Sequence, residues 1–221
     1  MMTFSLVARD PKTGMFGAIT ATAGPAVGAL VIHGHSHTGA IATQAMTNPL
    51  YGIQGLALLK RGFNARQTLD KLQADDPERQ RRQLIIVDKS GNTAHCNGIH
   101  CQEWVGSRIH DNLAVAGNFL GGPETLDSLI ESFVLHQALP FPQRMLAAMQ
   151  AGAKQGGDRR GLRSAALKVW NDRDYADIDV RVDWSERPLE ALEEVLSEVQ
   201  GASYADFFEQ LPRTHCSDWR P

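Results

Sequence analysis

Apolar residues in this 221-residue chain change their period in blocks, and the block order limits the folds open to it. Residues 3–9 alternate, with Phe4, Leu6 and Ala8 on one face and Thr3, Ser5 and Val7 on the other. Asp10-Pro11-Lys12-Thr13-Gly14 is a turn, proline presetting φ and glycine free to take a positive one. Residues 15–22 return as the second arm of a hairpin. Residues 28–32 and 39–44 follow as strands dense in small and β-branched side chains. A short helix carrying Ile53, Leu56 and Leu59 or Lys60 ends at Gly62, and Asn64 caps a second with Ala65, Leu69 and Leu72 on one face.

Strand chemistry resumes at 84–88, 93–96, 104–109 and 113–117. Helices then start at Pro123, with a stripe of Leu126, Leu129, Ile130, Phe133 and Val134, and near Pro142, burying Met145, Leu146 and Met149 before Gly156-Gly157. Strands at 165–170 and 178–182 precede a last amphipathic helix through Leu189, Leu192, Leu196 and Val199. Strands and helices are thus segregated: four strands, two helices, four strands, two helices, two strands, one helix. That order argues against a doubly wound parallel sheet. It predicts an α+β fold, a four-layer αββα sandwich of two antiparallel sheets between helix layers. No repeat or linker divides the chain, so residues 1–221 read as a single domain with a loosely attached tail from about 212.

Composition removes several function classes. Twenty-two basic against 25 acidic residues leave a net charge of −3, and Arg79-Gln80-Arg81-Arg82 is compensated by Asp75, Asp76 and Glu78. Neither nucleic acid nor an anionic membrane is expected as a partner. No apolar run nears the roughly 20 residues of a spanning helix, and the start lacks the basic and apolar regions of a signal peptide. Three cysteines argue for reduced thiols, and the cytoplasm is the expected compartment. Aromatic residues near the end (Tyr204, Phe207, Phe208, Trp219) predict a homodimer.

Thr3 heads the first strand, almost at the terminus. A terminal threonine needs no cofactor: its hydroxyl attacks a carbonyl while its own α-amine, with a pKa of about 8, acts as base. The hairpin brings Thr20 or Thr22 beside it. A threonine at this place is otherwise an ordinary strand former. Asp158 and Ser164, with Arg159 between them, sit on a loop entering a strand. They either tune such an amine or, through an Asp158–arginine pair, lock a turn. Gly117-Asn118 and Gly121-Gly122 either place N–H groups as an oxyanion hole or let the chain turn. Thr43, Gln44, Asn48, Arg82 and Gln83 are polar in apolar contexts, lining a pocket or satisfying structural hydrogen bonds. His33-x-His35-x-His37 has the alternation of a strand-borne metal site, yet its glycines and serine indicate a loop with no carboxylate nearby. No metal is expected there, nor at His95-Cys96 and His100-Cys101, whose spacing departs from a zinc knuckle. His35 is placed instead near Thr3.

Several segments together resemble a known bacterial family. They are residues 3–10 (TFSLVARD), 26–31 (AVGALV) and 42–49 (ATQAMTNP), then Arg82-Gln83, Ala116-Gly117-Asn118, residues 156–161 (GGDRRG) and Ser164-Ala165-Ala166. The family is domain of unknown function number 1028, placed among N-terminal-nucleophile hydrolase-like folds. They run in order from residue 3 to about 183, covering nearly the whole chain. The resemblance implies the four-layer sandwich and an amide-hydrolysing ancestry, and supplies no substrate. In the family pattern the threonine directly follows the initiator methionine, whereas here the order is Met1-Met2-Thr3. The expected function is an amidohydrolase cleaving a small or peptide-like amide through Thr3. The alternatives are a non-catalytic binding or assembly module on the same fold and, third, a metal-dependent hydrolase.

Overall fold

A computed structural model describes residues 3–213. Strands β1 (Thr3–Arg9), β2 (Phe16–Thr22), β3 (Ile32–His35) and β4 (Gly39–Ala45) precede helices α1 (Leu50–Lys60) and α2 (Ala65–Ala74). Then come β5 (Arg82–Asp88), β6 (Thr93–Asn97), β7 (Gly106–His110) and β8 (Leu113–Asn118), and helices α3 (Glu124–Leu135) and α4 (Phe141–Lys154). The chain continues through β9 (Ser164–Trp170), β10 (Ile178–Val182), α5 (Pro188–Val199) and α6 (Ala202–Glu209). The strands form two sheets, ordered β10-β9-β2-β1-β8-β7 and β3-β4-β5-β6, with every neighbouring pair antiparallel.

Strand parity divides the core into three apolar layers. On β1, Phe4, Leu6 and Ala8 face outward against Leu126, Leu129 and Phe133 of α3, Met145 and Met149 of α4, and Leu192 of α5. Val7 faces the other way, joining Phe16, Ala18, Ala114, Ala116, Ala166 and Trp170 against Ala40, Ala42, Ile85 and Val87 of the second sheet. The outer face of that sheet, Ile41, Leu84 and Ile86, is covered by Tyr51, Leu59, Leu69 and Leu72 of α1 and α2. The molecule is therefore helix, sheet, sheet, helix. Ile130, placed in the buried stripe of α3 by its spacing, is only half-buried.

Local signals set most of the ends. Asn64 accepts from the Gln67 N–H at 2.9 Å while Gln67 Oε1 accepts from the Asn64 N–H at 3.1 Å, a reciprocal cap for α2. Gly156 and Gly157 stop α4 with φ of 118° and 41°. Residues 28–32 are not the expected strand: Val27–Ala29 is a short 3-10 turn, and the strand starts at Ile32. Gly28 there lies so close to β9 that a Cβ would stand 2.3 Å from that of Ala166. The strand expected from 104 begins at Gly106, because the Trp104 ring lies over that glycine. Helix α6 was not anticipated and buries no residue; Arg173 holds it, lying over the Phe208 ring at 4.1 Å, donating to Phe208 O at 2.8 Å and pairing with Glu209 at 3.6 Å. Trp219 and most of the expected tail lie outside the described residues.

A polar cluster ties the helices α1 and α2 to the second sheet. Asp76 Oδ2 accepts from Arg82 Nε at 3.0 Å, Tyr51 OH at 2.8 Å and Asn48 Nδ2 at 3.4 Å, and its Oδ1 accepts from the Glu78 N–H at 2.8 Å. Burial alone would push this carboxyl up, but the bonds from Arg82, Tyr51 and Glu78 outweigh it and hold it at about 2. A carboxyl held below its unfolded value of about 3.9 stabilises the fold above that pH and loses the contribution as pH falls toward 2. Stability measured by urea titration should therefore drop between pH 5 and pH 2. Asp76→Asn should be less stable by about 2 kcal/mol at pH 7 and show a shallower acid slope. A second test concerns sheet spacing. Gly34 faces the ring of Trp170, where a Cβ would meet ring carbons at 2.4 Å. Gly34→Val should lower the urea midpoint by the equivalent of about 1–3 kcal/mol with little change in slope.

Candidate functional site

The layer between the sheets is apolar at one end and polar at the other. Parity that turns Val7 inward also turns Ser5 and Thr3 inward, and Thr20, Thr22, Asn118 and Ser164 follow from the same rule on β2, β8 and β9. Gln44 and Gln83 meet them from the second sheet, continuing the faces of Ala42 and Ile85. All eight are buried.

Their polar atoms form a connected network. Gln44 Nε2 donates to Thr3 O at 3.1 Å and to Gln83 Oε1 at 2.6 Å. Asn118 Nδ2 donates to the same two acceptors, at 3.4 Å and 3.0 Å. Gln83 Nε2 faces the carbonyls of Gly106 (3.0 Å) and Gly117 (2.9 Å) and Asn97 Oδ1 (2.7 Å). The Ser5 hydroxyl donates to Gln44 Oε1 at 2.5 Å and lies 2.8 Å from that of Thr20. At the strand head, Thr3 Oγ1 is 3.5 Å from Thr22 Oγ1. Thr3 is 1% exposed, opposite Asn118 on one side and Thr22 on the other. A small cavity of about 150 Å³ opens beside Asn118, walled also by Ala45, Met46, Cys101 and Arg81; Thr3 itself is not in its lining.

Asp158 and Ser164 hold the chain just beyond Thr22. Asp158 Oδ2 accepts from the Ala23 N–H at 2.7 Å, and its backbone bridges Leu120, two residues past Asn118. It also pairs with Arg160 at 3.2 Å. Ser164 Oγ donates to Gly24 O at 2.6 Å and accepts from the Val27 N–H at 3.2 Å. Arg159 lies over the Phe119 ring at 4.8 Å and donates to Glu103 O at 2.6 Å, outside the network but next to Asn118.

Other candidates lie elsewhere. Arg82 and Asn48 belong to the Asp76 cluster on the helix side, because Arg82 has the opposite parity to Gln83. Thr43 has the opposite parity to Gln44, and its hydroxyl bonds Asn48 O at 3.3 Å. His35 is not near Thr3: it pairs with Gly39 at the far end of β4, about 17 Å of strand from Gln44. Its Nδ1 bonds Ser36 O at 2.8 Å, and Nε2 lies 3.7 Å from Asp174. His33 reaches Leu30 O at 3.1 Å and is packed on Gly52, and burial pushes its pKa down. His37 turns away with φ of 57°. Among the described residues no three of His, Cys, Asp or Glu are grouped to hold a metal ion. Cys96 and Cys101 are free thiols; burial pushes Cys96 up to about 12 and Cys101 upward, which keeps them protonated. Among the described residues no helix is long and apolar enough to cross a membrane. Sequence reasoning left Ser5 and Asn97 out of the site, although the shared face of Ser5 and Thr3 on β1 was a signal for the first.

Comparisons place this arrangement among known proteins. A family model described as a family of unknown function, DUF1028, matches residues 3–192. The crystal structure of protein SPO2555 from Silicibacter pomeroyi, which carries the same family designation, aligns with a TM-score of 0.90 at 32% identity. That alignment covers 96% of this chain and 92% of that chain. Anbu (ancestral beta-subunit) from Yersinia bercovieri aligns over 95% of this chain and 98% of that one, at 11% identity and a TM-score of 0.41. No curated protein matches. The family model starts at Thr3, the head of the central strand, and runs through both sheets into α5, so the chain belongs to the family of unknown function DUF1028.

Proposed function

We propose that this protein is an amidohydrolase of the N-terminal-nucleophile type, acting on a small or peptide-like amide once Thr3 is the first residue. What carries the reading is the seat of Thr3, a hydroxyl at the head of the central strand of a six-stranded sheet. Its carbonyl is gripped by two buried side-chain amides, those of Gln44 and Asn118. A strand threonine chosen for β-propensity alone needs no such frame. Holding the carbonyl fixes the residue's backbone, and hence the direction of its hydroxyl and of a freed amine.

In the reaction, the Thr3 hydroxyl oxygen attacks the amide carbon while its proton passes to the α-amine of Thr3. The carbon–nitrogen bond then breaks and the leaving amine takes that proton. Water, activated by the same amine, adds to the ester and returns the hydroxyl with release of the acid. Thr22, at hydroxyl distance, orients the nucleophile. Gln44, Asn118 and, through them, Gln83 are positioning residues. Asp158 and Ser164 fix the 23–27 segment that borders the strand head. The chemistry requires no metal.

The order Met1-Met2-Thr3 makes the test direct, since removal of one initiator does not free Thr3. A chain liberated to begin at Thr3 should be acylated once by a β-lactone probe, seen as a single mass increment mapped to residue 3. The rate should rise with pH through about 8, as the amine loses its proton. Thr3→Ser should retain part of the reactivity, while Thr3→Ala and the chain that keeps Met1 and Met2 should stay unlabelled. Equal labelling of all four, or none with Thr3 exposed, would overturn the reading in favour of a non-catalytic module.

A further inference from the structure

A larger cavity lies at the opposite end of β1, about 20 Å along the strand from Thr3. Its volume is about 840 Å³, within the usual range for a small-molecule site. The inner wall is continuous with the helix-side core: Leu113 of β8, Phe133 of α3, Phe141 of α4, and Val169 and Ile178 of β9 and β10. Charged groups ring the mouth, and they are not equivalent. Asp10 is occupied by its own turn, taking the Lys12 N–H at 3.2 Å and the Thr13 hydroxyl at 2.6 Å. Asp177 accepts from the Asn171 N–H at 2.7 Å and lies 3.8 Å from Arg173. Asp111, Lys12 and His110 are exposed on the surrounding turns.

Two arginines at the rim differ from these. Arg144 spends its Nε on Phe133 O at 2.6 Å and lies over the Phe133 ring at 3.7 Å. Arg9 gives one N–H to Asn112 Oδ1 at 3.3 Å. Neither has a carboxylate within 4.0 Å among the described residues. Arg144 lines the cavity, and its outer two nitrogens make no hydrogen bond or ion pair among the described residues. Asp10 acts on Arg144 across the mouth without touching it, so a half-buried cation on an aromatic ring is left without a directly bonded carboxylate and gains from an anionic ligand.

We propose that this cavity is a second ligand site, binding an amphiphile with an apolar chain or ring and a single carboxylate head. The chain occupies the Leu113–Phe133–Phe141 chamber, and the carboxylate meets the guanidinium of Arg144 in a two-point contact, with Arg9 adding charge. The site shares no side chain with the Thr3 network and is independent of the activity proposed there.

Sodium decanoate, kept below its micellar concentration, is the probe, titrated calorimetrically into the full-length chain. Saturable binding is expected, weakened about tenfold by Arg144→Ala and less by Arg144→Lys. Decanol should bind more weakly than decanoate, and decyltrimethylammonium weakest. Val134→Trp, which fills the chamber from α3, should abolish binding; Ala138→Trp serves the same purpose if the first variant loses its circular-dichroism melt. Thr3→Ala should bind as the parent does. Absence of binding, an unchanged affinity in Arg144→Ala, a cationic or neutral chain binding as tightly as decanoate, or loss of binding in Thr3→Ala would each overturn the proposal.

Discussion

Two buried amides, Gln44 and Gln83, join the sheets, and much of the molecule is arranged so that they can. An amide between packed sheets costs several kcal/mol if its groups are unpaired, so each must find partners on the opposite sheet. Gln83 finds the carbonyls of Gly106 and Gly117, which face each other across β7 and β8. Gln44 finds the carbonyl of Thr3. These directional contacts tie the lateral register of one sheet to the other. Elsewhere the interlayer is apolar, alanines (Ala18, Ala40, Ala42, Ala114, Ala116 and Ala166) packed with Val7, Phe16, Ile85, Val87 and Trp170.

The same division sets the proposed Thr3 site at one end. The apolar end of the layer is filled by Val7, Phe16, Ile85, Val87 and Trp170 together with the alanines. The polar end reaches the cavity beside Asn118. β1 runs from the polar end, where it pairs with Asn118 of β8, to the larger cavity, which Arg9 lines at its other terminus.

The block order of strands and helices was legible because amphipathic helices and hairpins carry their own periods. On β1, the alternation of Phe4 and Leu6 with Thr3 and Ser5 already separated helix face from interlayer. On β4 and β5 that distinction was invisible. Residues 84–87, Leu-Ile-Ile-Val, are buried on both faces, so no alternation marks which polar neighbour turns inward. Arg82 and Gln83, or Thr43 and Gln44, look alike in sequence and end on opposite sides of the sheet. His35 was misplaced for another reason: its distance from Thr3 is set by strand order, which adjacency along the chain does not encode. Helix α6 has no buried stripe, and a helix held by the polar and ring contacts of Arg173 leaves no periodic apolar trace.

The side-chain bonds between β6 and β7 also decide which borders of the sandwich can recruit another strand. Ser107 Oγ lies 2.5 Å from His95 Nδ1 and accepts from Asn97 Nδ2 at 3.0 Å, so the terminal strands of the two sheets are laced to each other. Two unpaired edges remain, β3 and β10. β3 is only four residues long, and β10 alternates charges outward, with Asp179 paired to Lys168 and Arg181 to Asp183. Short length and outward charge are the two means by which open edges resist adding foreign strands. The fold thus keeps ten strands from polymerising without closing them into a barrel.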